Sequence, residues 1–132
     1  MQMAATTGAG AGAGQALSDT EEWIPVCPLA DIIPYTGVCA IVGDRQVAVV
    51  RVGDGDQVYA VDNFDPFSKA FVISRGIVGD KNGVAKIASP IFKQSFDLCT
   101  GRCLENPAIA LPTYRARVRD GQIEVLLPPA GG

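Results

Sequence analysis

Two stretches of this 132-residue chain decide its fold: residues 59–67, which read YAVDNFDPF, and residues 87–101, which read IASPIFKQSFDLCTG. Each stretch contains a small polar residue followed by proline, Asp65-Pro66 in the first and Ser89-Pro90 in the second. Asp and Ser favour turns because their side chains bond nearby backbone N–H groups, and proline fixes its own φ angle. The two stretches therefore predict two similar turns, each preceded by a strand.

These two turns resemble the metal-binding loops of Rieske iron–sulfur domains, whose motifs read AVDNxCPH and CPxHGxxFDxxTG. A Rieske centre places two cysteines on one iron and two histidines on the other. Here the cysteine positions hold Asp65 and Ser89, the histidine positions hold Phe67 and Phe92, and the whole sequence contains no histidine. A phenyl ring has no lone pair, and a serine hydroxyl is a poor ligand at neutral pH. The resemblance implies the Rieske fold, but the residues present predict no metal or cofactor in this chain.

The likeness covers nearly all of the chain outside its N-terminal tail, from about Trp23 to about Leu127. Over that extent the chain resembles the small subunit of assimilatory NADH-dependent nitrite reductase; besides the two loops, residues 23–32, 37–40, 74–79 and 101–105 carry the likeness. The resemblance implies a subunit without catalytic residues, supporting reduction of nitrite to ammonium by a large subunit during nitrate assimilation. That large subunit is expected to carry FAD, sirohaem and a 4Fe-4S cluster. The alternative is a free-standing Rieske-like module that binds or regulates another protein without redox activity.

The pattern of short strands and turn residues predicts an all-β fold, an antiparallel sandwich or barrel. Gly43-Asp44-Arg45 separates strands at 38–42 and 46–52, and Asp120-Gly121 joins a strand at 114–119 to one at 122–127. A third hairpin is predicted from residues 72–78 and 84–88, which are joined by Gly79 to Gly83. No stretch of eleven or more residues shows helical spacing free of glycine or proline.

The composition is that of one small globular domain. A content of 48% hydrophobic and 19% charged residues suits a chain with a buried core, and a net charge of -3 argues against nucleic acid, whose phosphates require a basic surface. No basic amphipathic segment indicates a membrane. Residues 1–20 are rich in Ala and Gly and lack the basic and apolar regions of a signal peptide, so we expect a disordered tail and a cytoplasmic protein. The Rieske-like domain is expected at 21–128, with a short tail at 129–132.

The four cysteines are interpreted as structural thiols. Cys27 and Cys39 lie in short apolar runs, where a reduced thiol serves as a small hydrophobic side chain. Cys99 and Cys103 do not have the Cys-x-x-Cys spacing of a redox pair or a zinc site. A four-cysteine metal site and disulfides are the less favoured alternatives.

The former ligand positions receive structural roles. We expect Asp65 and Ser89 to cap loop backbone, and Phe67 and Phe92 to fill the volume that a cluster would occupy, each ring stabilising the fold by about 1.5–3 kcal/mol if buried. A role for Asp65 as an acid or base is the alternative. No second carboxylate, histidine or activated nucleophile accompanies it at evident spacing, so no catalytic residue is predicted.

Two surfaces are candidates for contact with a large subunit. The first is the loop tip, residues 63–69 and 89–94, with lysines around an apolar centre; its predicted contact residues are Asp65, Pro66, Phe67, Lys69, Pro90, Phe92 and Lys93. The second is a stripe of Arg115, Arg117 and Arg119, which alternation places on one face of the last hairpin. The stripe is more simply a solvated strand face.

Overall fold

The computed structural model describes residues 22–127. Within that range the chain forms twelve β-strands and two single 3-10 turns, at Leu29–Asp31 and Ile73–Arg75. The strands are β1 (Glu22–Pro28), β2 (Thr36–Val42), β3 (Arg45–Arg51), β4 (Val58–Asp62), β5 (Phe64–Asp65), β6 (Ala70–Phe71), β7 (Ile77–Lys81), β8 (Val84–Ala88), β9 (Ser95–Asp97), β10 (Thr113–Tyr114), β11 (Ala116–Arg119) and β12 (Gln122–Leu127). The predicted all-β architecture is confirmed.

A central four-stranded sheet, in the order β10-β4-β3-β2, carries hydrophobic packing on both of its faces. Val47 and Val49 of β3 belong to the cluster shared with the β1-β12-β11 sheet, while Ala48 and Val50 belong to the cluster shared with the β7-β8-β9 sheet. All four side chains are fully buried, since a strand covered on both faces has no polar side. The sheets form layers and do not close into a barrel.

The hairpins follow the sequence prediction in part. Val42 pairs with Arg45, which confirms a tight turn at Gly43-Asp44. The hairpin predicted from 72–78 and 84–88 forms, but its first strand covers Ile77–Lys81. Lys81 pairs with Val84, so the turn consists of Asn82 and Gly83 only and is shorter than the predicted turn at 79–83. Residues 73–75 form a 3-10 turn and not a strand, and the buried Ile73 side chain packs in the second cluster.

The strand predicted at residues 114–119 is divided between two sheets. Tyr114 pairs with Ala60 of the central sheet, whereas Ala116 pairs with Val125 of the outer sheet. Arg115 lies at the crossing, where its carbonyl accepts the N–H of Leu126 at 2.9 Å. Continuous alternation of side chains therefore concealed a change of partner strand.

Neither 3-10 turn, nor any other helical segment in residues 22–127, is long and apolar enough to span a bilayer. The tails predicted at residues 1–20 and 129–132 lie outside the described residues.

Candidate functional site

The first loop is held at the end of β4 by Asn63. This side chain is buried; its Oδ1 accepts the N–H of Ser74 at 2.7 Å, and its Nδ2 donates to Gln46 Oε1 at 3.1 Å. The Asn63 carbonyl also accepts the N–H of Ile73 at 3.1 Å. One side chain and its backbone thus join β4 to β3 and to the 3-10 turn, and so fix the start of the loop.

The second loop, residues 89–94, closes the hairpin of β8 and β9. Its base is packed tightly, because a Cβ added to Gly76 would lie 2.3 Å from the carbonyl oxygen of Ala88, so only glycine fits there. At the other side, Glu105 Oε1 accepts the N–H of Ser95 at 2.8 Å. That hydrogen bond is the main reason why the pKa of Glu105 lies below its ordinary value.

The two loops repeat one local structure. In the first, Asp65 Oδ1 accepts the N–H of Phe67 at 2.9 Å, and in the second, Ser89 Oγ accepts the N–H of Ile91 at 3.2 Å. In each loop the backbone N–H of a lysine donates to the carbonyl four residues before it. Lys69 donates to Asp65 at 2.8 Å, and Lys93 donates to Ser89 at 3.1 Å. Both lysines have a positive φ, 62° and 67°. The predicted capping of loop backbone by Asp65 and Ser89 is confirmed.

The two former cysteine positions also bond to each other. Ser89 Oγ donates to Asp65 Oδ2 at 2.5 Å, and Ser68 Oγ donates to the same oxygen at 2.9 Å. Asp65 and Ser89 are both fully buried. A buried carboxylate needs hydrogen bonds on its oxygens, and here each oxygen has at least one donor. The link between the loops is therefore a buried carboxylate–hydroxyl hydrogen bond.

The charge state of Asp65 follows from two opposing effects. Burial raises the pKa of Asp65, but the hydrogen bonds from Ser89, from the N–H of Phe67 and from Ser68 together outweigh it and hold the pKa below its ordinary value. Asp65 is accordingly ionised at neutral pH. A carboxylate that is ionised, enclosed and occupied by three neighbours is not placed to act as an acid or base on an external substrate.

The two former histidine positions differ. Phe67 is half-buried, packs against the second hydrophobic cluster and lies 6.1 Å from Phe96 between ring centroids. Phe92 is 58% exposed, so the expectation that both rings fill the vacated volume is wrong for Phe92. The reason is local geometry: the turn at Ser89-Pro90 directs residues 91–93 outward, and all three are exposed. Aromatic character alone did not reveal this.

The residues predicted at the tip contact surface are placed unequally. Asp65 is fully buried and cannot touch a partner directly, which corrects its place in that set. Pro66, Phe67 and Pro90 are half-buried, whereas Lys69, Phe92 and Lys93 are exposed.

The arginine stripe is partly engaged within the chain. Arg117 Nε donates to Glu124 Oε1 at 2.6 Å in an ion pair, and its guanidinium lies 4.0 Å from the centre of the Trp23 ring. Arg115 stands 5.8 Å from the same ring, and Arg115 and Arg119 are exposed. Tyr114, Ala116 and Val118 pack against the first cluster on the opposite side, as the alternation predicted.

The cysteines lie in different parts of the fold. Cys27 and Cys103 are buried in the first and second clusters, Cys39 is half-buried, and Cys99 is exposed. Cys27 and Cys39 line one cavity of about 630 Å³ beside Asp31 and Arg75. Burial raises the pKa of both thiols, and Asp31 adds to the effect at Cys27, so neither is activated as a nucleophile.

The residues at the former ligand positions do not fit a two-iron, two-sulfur cluster. Asp65 and Ser89, which occupy the two cysteine positions, are hydrogen-bonded to each other. The two histidine positions hold phenylalanines, which have no lone pair to donate to a metal. Within residues 22–127, no group of three or more His, Cys, Asp or Glu side chains is placed to hold a metal ion.

Sequence reasoning missed the contact between Asp65 and Ser89 and the roles of Asn63, Ser68 and Glu105. A signal for the first was present: two ligands of one iron must converge, so the residues that replace them are neighbours. Asn63 and Glu105 left no comparable signal, since their hydrogen bonds depend on the positions of other elements. The bond from Ser68 to Asp65 spans only three residues, so turn chemistry could have predicted it.

Comparison with known proteins confirms the predicted Rieske-like fold. Residues 22–126 match the family described as Rieske-like 2Fe-2S domain. The NADH nitrite reductase small subunit of Escherichia coli K12 is 43% identical over 104 residues, which are 79% of this chain and 96% of that protein. The NMR structure of the E. coli protein NirD is similar with a TM-score of 0.75 at 42% identity, over 81% of this chain and 97% of the other.

A further relative places the same domain inside a longer protein. The nitrite reductase NAD(P)H large subunit of Klebsiella oxytoca is 37% identical over 112 residues, which are 85% of this chain and only 12% of that protein.

Proposed function

We propose that this chain, which belongs to the Rieske-like family of NADH nitrite reductase small subunits, acts as a non-catalytic subunit that binds a large subunit and supports its NADH-dependent reduction of nitrite to ammonium in nitrate assimilation. The observation that carries the proposal is the hydrogen bond between Asp65 and Ser89. It keeps the two loops together where a cluster-bearing relative would use iron. The chain thus keeps the shape of an electron carrier while its own side chains supply no redox centre.

The large subunit is the partner that the relatives favour. In Klebsiella oxytoca a segment homologous to this chain is part of a nitrite reductase large-subunit chain, so it belongs to the same polypeptide in that protein. This favours a permanent partner over a free-standing regulatory module. In the proposal, FAD, sirohaem and a 4Fe-4S cluster belong to the large subunit, and this chain contributes binding and orientation.

The proposed compartment is the cytoplasm. Cys99 is exposed and carries a free thiol, and the buried Cys27 and Cys103 are also free, as is usual for proteins in a reducing compartment. No nucleic acid or membrane enters the proposal.

The test is co-expression of this chain with its candidate large subunit, followed by purification through a tag on the large subunit. We expect the two chains to co-purify in a fixed ratio, and NADH-dependent nitrite reduction to fall when this chain is omitted. The matched control is the large subunit's dye-driven nitrite reduction. An unchanged rate without this chain, together with no co-purification, would contradict the proposal and favour the free-standing module.

A further inference from the structure

We infer that the second loop and the outer face of the β7-β8-β9 sheet together form a docking surface for the large subunit. This surface is wider than the loop tip and displaced away from the first loop. The inference rests on the proposed function, because it names the large subunit as the occupant.

The first argument is a row of residues across the sheet. Ile77 pairs with Ala88, and Ala88 pairs with Ser95; Ser95 in turn accepts the N–H of Leu104 through its carbonyl at 2.8 Å. Residues directly opposite in antiparallel pairs share one face, so these four lie on the same side. The neighbouring row, which contains Ile87, Phe96 and Cys103, is buried in the second cluster, so the first row belongs to the outer face.

The two ends of this row are apolar and exposed, while Ala88 is half-buried and Ser95 is only 7% exposed between them. Ile77 is 64% exposed and Leu104 is 45% exposed. With strands about 4.8 Å apart, they stand about 14 Å from each other across the sheet. The loop that closes the β8-β9 hairpin at this row adds Ile91 and Phe92, both exposed. Single apolar side chains on a surface are ordinary, but four at one end of one small sheet are typical of an interaction site.

The charges around the surface define the chemistry of the partner. On the same face, two residues further along each strand, Lys86 is paired with Asp97, and the carboxylate of Asp97 is occupied by the N–H groups of Cys99 and Thr100. Two exposed cations, Lys93 and Arg102, lie within two residues of the apolar residues in the sequence, and Glu105 is the exposed acid beside Leu104. This end is therefore basic, on a chain whose net charge is -3. It fits an apolar depression bordered by carboxylates.

Interface size favours the wider surface over the tip alone. A stable interface buries about 800 Å² on each partner, which is far more than the exposed part of two or three loop side chains provides. In the Klebsiella oxytoca relative a homologous domain lies in the same chain as the rest of the large subunit. The large subunit is therefore the favoured occupant of this surface.

The experiment measures the Kd between this chain and the large subunit, which is purified without this chain, by biolayer interferometry at low and at physiological salt. The row variant is Ile77→Thr with Leu104→Thr, since threonine keeps the strand propensity, and the loop variant is Phe92→Ser. The control is Ile33→Ser, because Ile33 is 70% exposed and lies outside this sheet. A stripe variant, Arg115→Glu with Arg119→Glu, tests the competing surface. Circular dichroism and urea unfolding confirm that each variant is folded.

We expect the row and loop variants each to weaken binding by about tenfold or more, and the control to change it by less than about twofold. Loss of binding in the loop variant alone would overturn the extension onto the sheet. Loss in the stripe variant alone would move the docking face to the last hairpin. If the wild-type chain does not bind the large subunit at all, the proposed function is wrong, and the choice of docking surface no longer matters.

Discussion

The two loops share one backbone design but use it differently. In the first, the buried Asp65 carboxylate accepts from three donors within the fold, and Phe67 turns inward to Phe96. In the second, Phe92 is exposed, and Gln94 Oε1 is a buried oxygen that has no partner within the described residues. The first loop is therefore anchored in the fold, whereas the second loop exposes its aromatic side chain to solvent.

The difference shows how a metal site can be lost without loss of the fold. A cluster joins two loops through four ligands. Here the same loops are joined by one pair of former ligand positions, Asp65 and Ser89, and one former histidine position, Phe67, adds packing. The fourth position, Phe92, is 58% exposed, so its side chain is available for contact with a partner.

Replacing Asp65 should have the largest effect, because it removes the link between the loops. We expect Asp65→Ala to lower the free energy of unfolding by about 3 kcal/mol, since a buried serine hydroxyl and a backbone N–H lose a charged acceptor. The measurement is urea unfolding followed by tryptophan fluorescence.

The control for this variant is Asp97→Ala. Asp97 also accepts backbone N–H groups, those of Cys99 and Thr100, but it joins no second loop. We expect a cost of about 1 kcal/mol for Asp97→Ala. Equal losses in the two variants would mean that Asp65 is only a local cap.

Phe67→Ala should come next, at about 2 kcal/mol. The ring packs against the second cluster but is only half-buried, so the cost lies below the roughly 3–5 kcal/mol of a fully buried phenylalanine. Phe67→Leu, which keeps most of the apolar volume, should recover more than half of the loss in the same unfolding assay. A loss below about 0.5 kcal/mol would show that the first loop is no more anchored than the second.

The sequence predicted where the two loops lie and how they are capped, but not how their side chains differ in burial. Turn chemistry located both loops and the capping roles of Asp65 and Ser89, because these interactions span only two residues. The split at Arg115 and the outward position of Phe92 depend on which strand or loop lies nearby, and a single side chain does not encode that. Hydrophobic pattern predicts that a residue can be buried, not that it is.

The charge of Asp65 should make the stability depend on pH, with a smaller effect on the free energy of unfolding than the substitutions above. The pKa of Asp65 is lower in the folded state than in the unfolded chain, where aspartate has a pKa of about 3.9. The unfolded state therefore binds the proton first as the pH falls. The resulting stabilisation is complete above that value and is lost as the pH falls through the folded-state pKa. Asp65→Asn should lack this contribution, so its deficit relative to wild type should narrow from pH 7 to pH 2. A constant deficit would show that the charge of Asp65 is not what joins the loops.

The smallest effect on stability should come from Phe92→Ala. Because the ring is 58% exposed, its removal creates no cavity, and we expect a change of less than about 0.5 kcal/mol in the free energy of unfolding. Phe67→Ala is the matched comparison, since both residues occupy former histidine positions in loops of the same design. A cost of 2 kcal/mol or more at Phe92 would mean that the second loop folds its ring inward in solution, and the two loops would then be equivalent. A small cost combined with loss of large-subunit binding would separate their roles, since the fold would then need the first aromatic ring and the complex would need the second.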